Sequence, residues 1–194
     1  MEYKKVLKFV EIVGSIFIII SIIEIAYIIL LNFTQFNIDG TSLMLSEFIY
    51  SASIIPLSGT ILWLFLNASM VCFLILGIFM YKIASDKNIE SNPLAKFLVV
   101  NGMVILLVGF VKMNYLVLLG KEKITTLSGS IPFQTALFDR NITPLMPGIF
   151  WTFFISVNCA ILITGLAVTA VGIKWTLLKE QAEKSKLNIQ KEKK

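Results

Sequence analysis

Histidine is absent from all 194 residues, and Arg140 is the single arginine. Without imidazole the chain lacks the usual axial ligand of haem and the commonest ligand of zinc and copper, so neither a cofactor nor a metal site is expected. Cysteine is nearly absent too: Cys72 and Cys159 both lie inside apolar runs, which excludes a disulfide framework in the loops and predicts two buried small hydrophobes. None of the five prolines, Pro56, Pro93, Pro132, Pro144 and Pro147, interrupts an apolar run. Charge is also in short supply, at 15% of residues against about 25% in an ordinary soluble domain.

In place of charge stand long hydrophobic runs. Hydrophobic residues make up 57% of the chain and the mean hydropathy is +0.84. A helix needs roughly 20 apolar residues to cross about 30 Å of hydrocarbon, and four runs meet that length, at residues 9–31, 61–81, 97–119 and 149–173. The expected fold is an all-α integral membrane protein. Its four transmembrane helices form an up-down bundle over residues 1–178, and residues 179–194 form a charged tail. The first run is too long for a signal-peptide core and no small-residue cleavage site follows it, so it reads as a retained helix.

The lysines set a direction. Lys4, Lys5 and Lys8 precede the first run, Lys82, Lys87 and Lys96 flank the second connection, and seven more follow the fourth run, whereas the other two connections hold only Lys121, Lys123 and Arg140. The positive-inside rule then places both termini and the 82–96 connection in the cytoplasm of a multi-pass cell-membrane protein and turns two longer loops outward. Those loops carry acceptor triplets for glycosylation at Asn32 and Asn141. The first loop, with its apolar "TSLMLSEFIYSASIIPL", predicts a short interfacial helix ending before Pro56. The second predicts ordered turns or a hairpin rather than a helix. The tail "LLKEQAEKSKLNIQKEKK" extends the fourth helix for a few turns, supported by Glu180 and Lys184, before fraying. No internal repeat is evident.

Polar residues inside the runs are few and costly: an ionised side chain near the bilayer centre costs about 2.5–3.5 kcal/mol even on lenient scales. Counted from the lysine at each cytoplasmic end, Glu24, Asn67, Lys112 and Asn158 lie sixteen, fifteen, sixteen and sixteen residues deep. At 1.5 Å per residue, that is one level about 22–24 Å in. The expectation is a Glu24–Lys112 ion pair whose remaining hydrogen-bonding sites Asn67 and Asn158 satisfy. Glu11 and Asn101 lie nearer the cytoplasmic edge, and Asn114 lies just beyond Lys112. Helical stripes accompany the layer: Phe17, Ser21 and Glu24; Asn67, Met70, Leu74, Gly77 and Tyr81; Asn101, Ile105, Val108 and Lys112; and Trp151, Asn158, Gly165 and Gly172.

Four spans with two outer loops resemble the layout of tetraspan membrane proteins, although the outer-loop cysteines of those families are missing here. The resemblance implies architecture and no activity. The expected function is that of a non-enzymatic accessory or structural subunit of a membrane complex, partnered by the lipid bilayer and by other membrane subunits or further copies of itself. A small proton- or ion-coupled transporter or channel working through Glu24 is the alternative. Catalysis finds no motif: Asp39, Glu47, Asp139 and Arg140 lie in the outer loops at no recognisable spacing. The lysine-rich tail lacks the interleaved aromatics of a nucleic-acid binder, so no nucleic-acid partner is expected.

Overall fold

The computed structural model describes residues 3–86, 91–127, 129–144 and 146–192. Ten elements follow in order: α1 (Tyr3–Asn32), β1 (Gln35–Ile38), β2 (Thr41–Met44), α2 (Leu45–Ile49), α3 (Leu57–Ser85), α4 (Ser91–Lys121), β3 (Lys123–Thr126), β4 (Gly129–Pro132), α5 (Phe133–Phe138) and α6 (Met146–Glu192). Four of the helices, α1, α3, α4 and α6, contain stretches long and apolar enough to cross a membrane. Helix α6 continues without a break to Glu192, further than the few turns expected of the tail. The Glu180–Lys184 pairing lies outside the side chains described.

The first loop adds a hairpin to the short helix expected there, and the second adds a short helix to the expected hairpin. Each holds an antiparallel hairpin, β1 with β2 and β3 with β4, followed by a short helix. The first hairpin turns on Asp39 and Gly40, at φ 54° and 78°. An Asp-Gly pair accepts two consecutive positive φ angles, as a two-residue hairpin turn demands. Alternation in β1 turns Phe36 and Ile38 inward, where Phe36 meets Phe48 of α2 edge-on. Glu47 caps α2 by accepting the Met44 backbone N–H at 2.7 Å. The interfacial helix expected in the first loop is therefore only Leu45–Ile49, and the second loop contains α5 as well as its hairpin.

Helix α1 packs antiparallel on α3 and α4 on α6, with α3 against α4 and α1 against α6 completing the bundle. Close approach is made by glycines. A Cβ at Gly14 would come within 2.7 Å of the Tyr81 backbone nitrogen, and one at Gly172 within 2.7 Å of the Val99 nitrogen. The stripe on α6 is buried throughout, at Trp151, Asn158, Gly165 and Gly172. On α3 the buried line runs instead through Trp63, Leu66, Met70, Phe73, Gly77 and Met80, leaving Asn67 half-buried and Tyr81 exposed.

The chain folds as two like halves. Helix, hairpin, short helix and long helix occur in one order twice, and equivalent residues lie 88 apart, the separation that also relates Glu24 to Lys112 and Asp39 to Leu127. At that spacing the sequence pairs Phe9 with Phe97, Gly14 with Gly102, Tyr27 with Tyr115, Pro56 with Pro144, Trp63 with Trp151 and Gly77 with Gly165. The halves exchange equivalent contacts. The Asn37 N–H donates to the Ile142 carbonyl at 2.7 Å, and the Thr125 N–H to the Ile54 carbonyl at 2.9 Å. Tyr27 lies edge-on to Phe153, and at the equivalent positions Tyr115 stacks on Phe65. Such reciprocity defines a pseudo-two-fold axis along the bundle and corrects the expectation of no internal repeat. Many equivalent positions exchange one apolar residue for another and few keep the same residue, which leaves little literal identity to notice.

Candidate functional site

Glu24 and Lys112 occupy equivalent positions in α1 and α4, so their side chains meet on the axis. Lys112 Nζ donates to Glu24 Oε1 at 2.5 Å, and neither side chain has any exposure. The ammonium also lies 5.5 Å from the centroid of the Phe73 ring, within cation–π range. Polar residues at this level divide the bundle interior into two apolar clusters. One gathers Ile28, Trp63, Leu116, Phe154 and the loop elements toward the hairpin end. The other gathers Phe17, Phe73, Ile105 and Ile161 toward the opposite end.

The four residues of the expected layer are not one hydrogen-bonded unit. Asn67 turns its amide onto its own helix, donating to the Trp63 carbonyl at 2.8 Å. Asn158 is fully buried, and its amide donates at 2.9 Å to the carbonyl of Gly109, one turn from Lys112. Neither asparagine is bonded to the ion pair, so the expectation that both would complete it is corrected. A short amide reaches the backbone nearest to it before it reaches the axis. Three buried oxygens at this level, Glu24 Oε2, Ser21 Oγ and Asn158 Oδ1, have no hydrogen-bond partner among the described residues. Ser21 lies one turn from Glu24 on the same face of α1.

The remaining sequence candidates disperse. Asn114 is bonded to the Phe110 carbonyl on its own helix, and Asn101 is buried toward the other end. Asn32 closes α1 half-buried with its carbonyl oxygen enclosed, whereas Asn141 is exposed in the turn after α5. Cys72 and Cys159 are free thiols on the outer faces of α3 and α6 rather than buried ones, because the small residues that reach the interior there are serine and glycine. Among the loop carboxylates, Asp39 accepts the Leu127 N–H at 2.8 Å across the axis, and Asp139 accepts the Asn141 N–H at 2.9 Å. A cleft of about 260 Å³ lies beside that crossing, lined by Asn37, Asp39, Thr126 and Asp139.

The reciprocal hairpin ties are not among the features expected from the sequence. Asp39-Gly40 between the apolar-polar alternations of "QFNI" and "TSLM" is the signal that marks the first hairpin. No protein-family model, curated protein or solved structure matches the chain.

Proposed function

We propose that this chain is a non-enzymatic, multi-pass protein of the cell membrane that serves as an accessory or structural subunit of a membrane complex. The Glu24–Lys112 pair fixes which helices face one another. Complete enclosure of both charges carries this reading: an acid and a base that neutralise each other away from water make a register device, since breaking such a pair strands a charge. The lysine distribution supports cytoplasmic termini and hairpins on the outer side. Its partners are lipid and other membrane subunits or a second copy. The test is purification of the full chain in mild detergent with measurement of the native mass. A stoichiometric assembly that survives washing supports the reading, and a lone chain that conducts ions in proteoliposomes refutes it.

A second reading, a small proton- or ion-coupled carrier, draws on a different observation. The three unpartnered oxygens stand at the interface between two parallel repeats, the place where carriers built from repeats hold substrates.

A further inference from the structure

The turns that follow the two short helices are built alike and charged differently. The Ile142 N–H donates to the Asp139 carbonyl at 3.0 Å, and at the equivalent place the Ile54 N–H donates to the Ser51 carbonyl at 3.0 Å. Side chains also bond within each turn: Asp139 Oδ1 accepts the Asn141 N–H at 2.9 Å, and the Ser51 and Ser53 hydroxyls lie 2.8 Å apart. Ser51, Ala52 and Ser53 thus make without charge the turn that the second half makes with Asp139, Arg140 and Asn141. The backbone requires neither the acid nor the base.

Those charges line two neighbouring clefts at the hairpin end. The cleft of about 260 Å³ combines buried Ile38, Ile124 and Ala136 with Asp39 and Asp139. A second, of about 330 Å³, is lined by Arg140, Asn141, Gln35 and Ser42. Asn37 and Ile142 line both, and the 2.7 Å bond from the Asn37 N–H to the Ile142 carbonyl makes a fixed wall between an acidic cleft and a basic one. Among the described residues no ion pair joins Arg140 to Asp39 or Asp139. Each aspartate spends one oxygen on a backbone N–H, from Leu127 or Asn141. The cleft at the equivalent place across the axis, beside Leu127 and Ser53, has Asp39 as the one charged residue among its described lining.

We propose that the paired clefts bind a small zwitterion, an ammonium and a carboxylate on one short chain, as in a free amino acid or a dipeptide. An ammonium offers three donors and suits the acidic cleft, where two carboxylates supply acceptors alone. A carboxylate suits Arg140, whose guanidinium grips an oxyanion through two parallel N–H bonds. Buried Ile38 and Ile124 offer an apolar surface to the hydrocarbon that joins the two charges. The site stands apart from the Glu24–Lys112 pair, so it holds for a scaffold and for a carrier alike.

The test titrates the full chain, in neutral maltoside micelles at low and constant ionic strength, with glycine, β-alanine, γ-aminobutyrate and glycylglycine. Ethylammonium and acetate serve as singly charged controls, and calorimetry or saturation-transfer NMR reads the binding. At least one zwitterion is expected to bind saturably and more tightly than either control, and the preferred member distinguishes an amino acid from a dipeptide. Asp139→Ser and Arg140→Ala install the residues of the equivalent turn, so both are expected to keep the fold. Each is expected to weaken zwitterion binding by about tenfold, the loss of one charge-assisted contact. Asp39→Asn keeps an acceptor for the Leu127 N–H and is expected to act in the same direction. Where a variant loses its fold, Asp139→Asn or Arg140→Gln takes its place. Absence of saturable binding by all four zwitterions would overturn the site, as would binding that the substitutions leave unchanged. Ethylammonium bound as tightly as every zwitterion, with no response to Arg140→Ala, would overturn the assignment to a zwitterion.

Discussion

Exchanging the two charges of the axial pair tests the register role and the two-fold symmetry together. In the single variant Lys112→Leu, Glu24 Oε1 loses its hydrogen-bond donor while Oε2 already has none among the described residues, so a carboxylate with no exposure is left uncompensated. Truncating one member of a buried pair typically costs about 3–5 kcal/mol. Glu24→Lys alone replaces the attraction with a buried repulsion and is expected to cost at least as much. The double variant Glu24→Lys with Lys112→Glu restores an opposite pair between equivalent positions, which the symmetry lets meet as the original pair does. One contact is not restored. Lys112 lies over Phe73, but the residue equivalent to Phe73 is Ile161, so the lysine introduced at position 24 faces no ring. Loss of that cation–π contact is worth about 0.5–2 kcal/mol. The double variant should therefore regain all but about 1 kcal/mol of what the singles lose. Reversible unfolding by dodecyl sulfate in mixed micelles measures this. A double variant no more stable than Lys112→Leu would refute both the pinning role and the equivalence of the sites.

Three further outcomes follow from the packing. Gly14→Leu and Gly102→Leu force side chains against the backbones of α3 and α6, where a Cβ alone would approach Tyr81 N within 2.7 Å and Thr169 N within 2.6 Å; each should lower stability by about 1–3 kcal/mol in the same titration. Trp63→Ala and Trp151→Ala remove equivalent rings that are 1% and 3% exposed, and each should cost about 3–5 kcal/mol, whereas a negligible loss at either would break the equivalence. On a background with both native cysteines replaced by alanine, a cysteine at Asn141 should react with an impermeant maleimide on intact cells and one at Ser85 should not; the reverse would invert the proposed orientation.

Much of the bundle was legible because a span announces itself through length and apolarity, and a helix face through its period. Glu24 and Lys112 were also legible as partners, since a common depth leaves two opposite charges little alternative. Depth gives a level and not a direction around the helix, so it does not fix where Asn67 points. Its side chain lies off the buried line through Leu66 and Met70 and bonds to the Trp63 carbonyl instead. The hairpin of the second loop was legible from its Thr, Gly and Pro punctuation, whereas that of the first is only four residues per strand and sits beside a longer apolar stretch that reads as helix.

By itself the sequence determined four apolar runs long enough to span a membrane, the uneven placement of lysines at their ends, and a thin polar level within them. Each of these depends on neighbours along one chain: run length, lysine placement and spacing in a single helix. The tertiary structure alone decided that the halves are equivalent, that their hairpins tie across one axis, and that Glu24 meets Lys112 on that axis while Asn67 does not. Those facts depend on how helices rotate and pack against one another. Packing accepts phenylalanine for isoleucine or leucine for valine at equivalent positions, so a strong three-dimensional symmetry leaves only a faint trace in the order of residues.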